Sequence, residues 1–146
     1  MRRKSVPIKT KQLVRERARG YCEYCLASSS FATDFFSIEH IIPDSLGGSS
    51  HPNNLALSCS RCNGHKYNKI NGFDSLTNQE VRLFNPRKDD WQTHFQWSEN
   101  ETIMLGVTPI GRATIDLLEI NRENNINLRS LLRLVGLHPP EEYPSK

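Results

Sequence analysis

Four cysteines in two Cys-x-x-Cys pairs constrain this chain more than any other feature. The pairs are Cys22-Glu23-Tyr24-Cys25 and Cys59-Ser60-Arg61-Cys62, with residues 26–58 between them. Each Cys-x-x-Cys turn directs two thiolates toward one point, and a tetrahedral Zn²⁺ takes four sulfurs at about 2.3 Å. The spacing predicts a Cys₄ structural zinc site that pins both ends of a folded loop. Two disulfides or a redox pair are the competing readings. Paired knuckles in a reducing compartment favour metal, and the βαβ pattern of a thioredoxin-like redox pair is missing. Apolar residues make up 36% of the chain and charged residues 24%. That is lean for a core, and a structural metal helps such a chain fold.

Charge is unevenly spread. Residues 1–19 carry eight Lys or Arg (Arg2, Arg3, Lys4, Lys9, Lys11, Arg15, Arg17, Arg19) against Glu16, so this arm is +7 while the whole chain is +3. A basic arm on a weakly acidic body suits a polyanionic partner, DNA or RNA; a solvated tail is the plainer alternative. No stretch approaches the roughly 18 to 20 apolar residues that span a bilayer. The opening MRRKSVPIKTKQ has no apolar run behind it and does not read as a secretory signal. The expectation is an intracellular, cytoplasmic protein without membrane association. Its oligomeric state, monomer or homodimer, is open.

Local patterns give the order of elements. Residues 10–19 predict a short helix, capped by Thr10 and stopped at Gly20. Phe35 to Ile42 predicts a strand that Pro43 ends. Residues 44–53 are loop chemistry. Residues 55–57 predict a second strand, and 59–68 a helix with the second knuckle at its start. Residues 73–90 read as irregular. A hairpin pairs 94–97 with 102–105. Thr108-Pro109 starts a helix as cap and first residue, with Ile110, Ala113, Leu117 and Ile120 along its apolar face. A last helix covers 128–135. The apolar stripes at 110–120 and 128–135 read as core or a dimer contact. Trp91 and Trp97 read as packing residues rather than base-stacking platforms.

CEYC, then IEHIIP followed by LGG, then NNLALSC, then CSRCNGHK resembles the HNH endonuclease family, over about residues 10–70. LFNPRKDDW and GVTPIGRATIDLLEIN further on resemble an extension found in one bacterial branch of HNH proteins. The resemblance implies an α+β fold. Residues 1–72 would form the basic arm and a zinc-pinned ββα-metal (HNH, or His-Me finger) core. Residues 73–146 would form an extension of β-hairpin and helices, packed on that core. It implies cleavage of DNA to 5′-phosphate and 3′-hydroxyl ends. It gives His40 the role of general base, and Asn54 that of the loop residue that holds the histidine in place.

The chemistry can also be argued from residue types. An imidazole with an ordinary pKa near 6.5 is mostly neutral at pH 7, so His40 can take a proton from water, and activity should fall below about pH 6. A scissile phosphate also needs a cation. Glu39 and the amide of Asn63, with waters, form a hard-oxygen set suited to Mg²⁺ or Mn²⁺ rather than zinc. In a regular strand Glu39 and His40 point to opposite faces, so the strand must bend or end there. Lys66, one helical turn after Asn63, is expected to face the same groove and meet a phosphate. Arg61, His65, Lys11, Arg15 and Arg19 are further candidates for nucleic-acid contacts. Many relatives carry aspartate where this chain has Glu39, whose carboxylate reaches one methylene further. A zinc deaminase would need His-x-Glu, but Ile42 breaks that pattern, and a metalloprotease HExxH is absent. The remaining rival is a zinc-ribbon nucleic-acid adaptor without catalysis. It explains the cysteines and the charge but not Glu39, His40, Asn54 and Asn63 together.

Overall fold

The computed structural model describes residues 5–146. Arg2, Arg3 and Lys4 of the basic arm lie outside the described residues. Chain contacts divide the molecule into two units: residues 5–70, 85–88 and 143–146, and residues 71–84 and 89–142.

The first unit begins with α1, Ile8–Arg17. It starts two residues before the expected Thr10, because Pro7 stands at the N-cap, where its fixed φ and missing N–H are no cost. Arg19 and Gly20 take positive φ and end it. The helix buries Val14 and Ala18 against Leu55 and Leu57, with Val6, Phe36 and Ile38 packed at the margin. Strands β1 (Ser37–His40) and β2 (Leu55–Ser58) form an antiparallel pair, with Glu39 opposite Ala56 and His40 opposite Leu55. β1 is shorter than the expected Phe35–Ile42, since Phe35 projects into solvent, 97% exposed. Helix α2, Ser60–Lys66, follows, with Cys59 as N-cap. The long β1–β2 loop is compact because Gly48 packs against Ile42. A Cβ there would lie 1.7 Å from the Ile42 carbonyl oxygen, so only glycine fits.

Two distant segments complete this unit through a buried charge cluster. Glu23, 2% exposed, pairs with Arg87, and its other carboxylate oxygen accepts from the Leu57 N–H at 2.8 Å. Arg87 also donates to the Ser145 carbonyl, and the Ser145 N–H donates to that of Arg17. The Arg17 guanidinium in turn donates to the carbonyls of Pro52 and Leu55.

The second unit holds two hairpins and two longer helices. β3 (Asn71–Asp74) pairs with β4 (Gln79–Arg82) inside the stretch expected to be irregular. The turn is organised by Asp74, whose carboxylate accepts from Leu76, Thr77 and the Arg112 guanidinium. A one-turn helix α3 (Trp91–His94) precedes the hairpin of β5 (Phe95–Trp97) and β6 (Met104–Gly106). His94 therefore ends α3 instead of opening the strand. Thr108 caps α4, Pro109–Leu118, its hydroxyl accepting from the Gly111 N–H at 3.0 Å, as the Thr-Pro pair predicts. α4 packs on β3 and β6. α5, Glu123–Leu134, begins earlier than the expected residue 128. Asn125 and Arg129 bury their polar groups on carbonyls of Ile120 and Thr102 and hold that first turn. Its end does not serve as core in this unit: Leu131, Leu134 and Val135 are largely exposed. No helix among the described residues is long and apolar enough to cross a membrane.

Candidate metal and active site

Both knuckles reach one buried point. One ligand sulfur from each of Cys22, Cys25, Cys59 and Cys62 lies within 4.8 Å of the others, and no disulfide joins them. The Cys25 and Cys59 sulfurs are 3.7 Å apart. Four sulfurs at about 2.3 Å from a tetrahedral centre stand about 3.8 Å from one another, so the residues fit a Zn²⁺ of the Cys₄ type. Burial pushes the Cys22 thiol well up, while hydrogen bonds from Cys22, Cys25 and Cys62 hold Cys59 far below the usual thiol range. The hydrogen bond with Cys22 lowers Cys25 as well.

Beside it, at the end of β1, lies a cavity of about 450 Å³ bordered by Glu39, His40, Asp44, Asn63, Tyr67 and Asn68. Glu39 and His40 both border it, although both are paired in the ladder and His40 ends the strand. Its Nε2 is 2.9 Å from the Ser50 hydroxyl, which fixes the ring's rotation. Asn54 closes the loop after it. The side-chain oxygen accepts from the Ile42 N–H at 2.9 Å, and the amide nitrogen donates to the carbonyls of Ile42 (3.0 Å) and Ser49 (2.7 Å). The Ile41 N–H donates to the Asn54 carbonyl at 2.8 Å. Asn53, by contrast, is exposed. Asn63 is half-buried on α2 and faces the cavity with the two residues of β1.

Lys66 is placed differently from the sequence reading. It is 1% exposed, and Nζ donates to the Ile41 carbonyl at 2.8 Å and lies 3.4 Å from a Glu39 oxygen. A phosphate contact is ruled out by that burial. The physical reason is the carboxylate of Glu39, 3% exposed, which needs a charged partner in the interior. Its other oxygen accepts from the Tyr24 hydroxyl, inside the first knuckle. Burial pushes the Glu39 carboxyl up, and Lys66 opposes that shift. Tyr24 is pushed well up, by burial first and then by the Glu39 charge. Tyr24, Glu39 and Lys66 thus link the first cysteine knuckle to the backbone of His40 and Ile41.

The residue types around the cavity, two carboxylates (Glu39 and Asp44) and the amides of Asn63 and Asn68, are the hard-oxygen kind that Mg²⁺ or Mn²⁺ takes. Glu39 enters that set with each oxygen already bonded once, to Tyr24 and to Lys66. Asp44 was missed in the sequence, where it reads as a turn residue after Pro43. Lys11, Arg15 and Arg61 are exposed, as is Arg19 just past α1, and His65 is half-buried.

Residues 22–69 match the family model described as HNH endonuclease. This segment is an HNH domain. The matched span contains both knuckles, β1, β2 and α2, and every residue bordering the cavity. The chain is also similar to the Septu protein PtuB of Bacillus mycoides (strain KBAB4), 31% identical over 120 residues, covering 64% of this chain and 40% of that protein. It therefore spans about two fifths of the length of that curated relative. No solved structure matches significantly.

Proposed function

We propose that this chain is a metal-dependent HNH endonuclease that hydrolyses DNA phosphodiester bonds on a ββα-metal core. The observation that carries the reading is one cavity bordered by an imidazole, two carboxylates and two amides, next to a cysteine cluster fit for zinc. His40 is the general base that takes a proton from the attacking water. Ser50 sets the ring's rotation, and Asn54 keeps the following loop from drifting. Glu39 and Asn63 would hold the cation, with Asp44 as a second carboxylate in reach of the cavity. When bound, Mg²⁺ or Mn²⁺ supplies positive charge to the phosphate and its leaving 3′ oxygen. Lys11, Arg15 and Arg19, with Arg61 and His65, make the nucleic-acid contacts, so binding weakens as salt rises. Lys66 belongs to the interior and supports the His40 backbone instead.

Supercoiled plasmid incubated with zinc-loaded protein tests this. Nicking that needs added Mg²⁺ or Mn²⁺ and stops with EDTA supports the enzyme. The exposed basic residues of α1 also suit a non-catalytic zinc adaptor. A salt-sensitive gel shift with no cleavage under any divalent cation would select that reading.

A further inference from the structure

Tyr67 is the first residue after α2, and its side chain is 75% exposed although it borders the cavity with His40 and Asn63. Its backbone stands at φ 49° and ψ −113°, a region that glycine enters easily and a tyrosine does not. Its N–H donates to the Asn63 carbonyl at 2.9 Å, which ties that conformation to the residue expected to hold the cation. A strained, solvent-facing aromatic ring adds little to the core. Strain of this kind persists where a site requires the side chain. The tryptophans are not equivalent: Trp91 packs on Phe95 and Trp97 at 5.7 and 5.5 Å, and Trp97 also meets His138 and Arg129.

Resting on the nuclease reading, we propose that Tyr67 stacks on an unstacked nucleobase beside the scissile phosphate and so directs the site to single-stranded or locally opened DNA. A phenol ring at the mouth of the cavity offers a flat apolar face beside the charges and amides of the wall. Every base has a complementary π-face, so the contact is tolerant of sequence. In an intact duplex those faces are covered by neighbouring pairs, and the ring gains nothing. Tyr67 is thus a substrate-selecting residue, distinct from the proton-transfer machinery.

Binding to labelled oligonucleotides, read by fluorescence anisotropy in the cleavage-impaired His40→Ala background, tests this. The probes are a single strand, a duplex with a central mismatch, and a perfect duplex. Tyr67→Ala should weaken binding to the first two on the order of ten- to a hundred-fold and leave the perfect duplex nearly unchanged. Tyr67→Phe, which keeps the ring, should match the parent on all three. Tyr67→Gly should lose the same binding while raising the melting temperature, because glycine relieves the backbone. A merely structural tyrosine would not give that combination. Equal losses on all three probes, or none on the single strand, would overturn the proposal. No binding of the parent to any probe overturns it together with the nuclease reading. Ring-dependent binding by a protein that cuts nothing under Mg²⁺ or Mn²⁺ overturns the nuclease reading alone.

Discussion

The two units are stabilised by different means. The HNH unit has a small apolar centre of Val14, Ala18, Leu55 and Leu57, surrounded by buried polarity: four thiols, Tyr24–Glu39–Lys66 and Glu23–Arg87. The second unit buries an apolar and aromatic set, including Leu83, Phe84, Phe95, Met104, Leu118 and Ile120, together with hydrogen-bonded Thr114, Asn125 and Arg129. Its main ion pair, Asp74–Arg112, organises a turn. The acids respond in opposite directions. Burial pushes Glu39 and Glu23 up, whereas Arg112, then Thr77, hold Asp74 well below the usual carboxylate range. On the proposed nuclease reading, a unit that presents carboxylates, amides and an imidazole around a cavity cannot fill that space with leucine. Paired charges, and a cysteine cluster able to hold a metal, stand in that space instead.

The sharpest way to break the comparison is Cys59→Ser. Removing one of four thiolates should destabilise the HNH unit by more than about 5 kcal/mol, enough to unfold it. Hydrogen exchange should lose protection in α2 and β2 while α4 and β6 stay protected. Simultaneous loss in both units would erase the distinction. Next is Glu39→Ala, which strands a buried Lys66 and should cost about 3 to 5 kcal/mol in urea unfolding. Glu39→Gln combined with Lys66→Met should recover part of that, since neither charge then lacks its partner. Asn54→Ala leaves the Ile42 amide and carbonyl without side-chain partners and should cost about 1 to 3 kcal/mol. Because it frees the loop beside His40, it should also lower the turnover rate.

The smallest effect concerns Asp74. Its folded-state pKa is depressed, so its contribution is fully present above the ordinary carboxylate value near 3.9 and is lost as pH falls below it. Melting of the second unit should decline on acidification through that window, and Asp74→Asn should flatten the decline. An unchanged acid profile in that variant would remove Asp74 as its cause.

What the sequence disclosed follows the same division. The cysteine cluster was legible because its ligands are written as two local turns that need only be brought together. Asn54 and Asn63 stand in the loop and the helix where the order of the elements puts them. Lys66 was misplaced because helical spacing sets a side chain's azimuth, whereas its burial depends on Glu39, which lies 27 residues earlier in the chain. Tyr24 carries no signal in the sequence beyond its place within the knuckle. The β3–β4 hairpin escaped notice because its strands are mostly exposed and lack apolar alternation. The start of α5 is held by Asn125 and Arg129 on carbonyls, a signal that hydrophobic periodicity does not carry.

One measurement bears most directly on the central claim: the single-turnover nicking rate of zinc-loaded wild type against His40→Ala, on supercoiled plasmid with Mn²⁺. The imidazole reading predicts a fall on the order of 10²- to 10⁴-fold, with zinc content and melting temperature unchanged. Equal rates from two folded, zinc-replete proteins would contradict it.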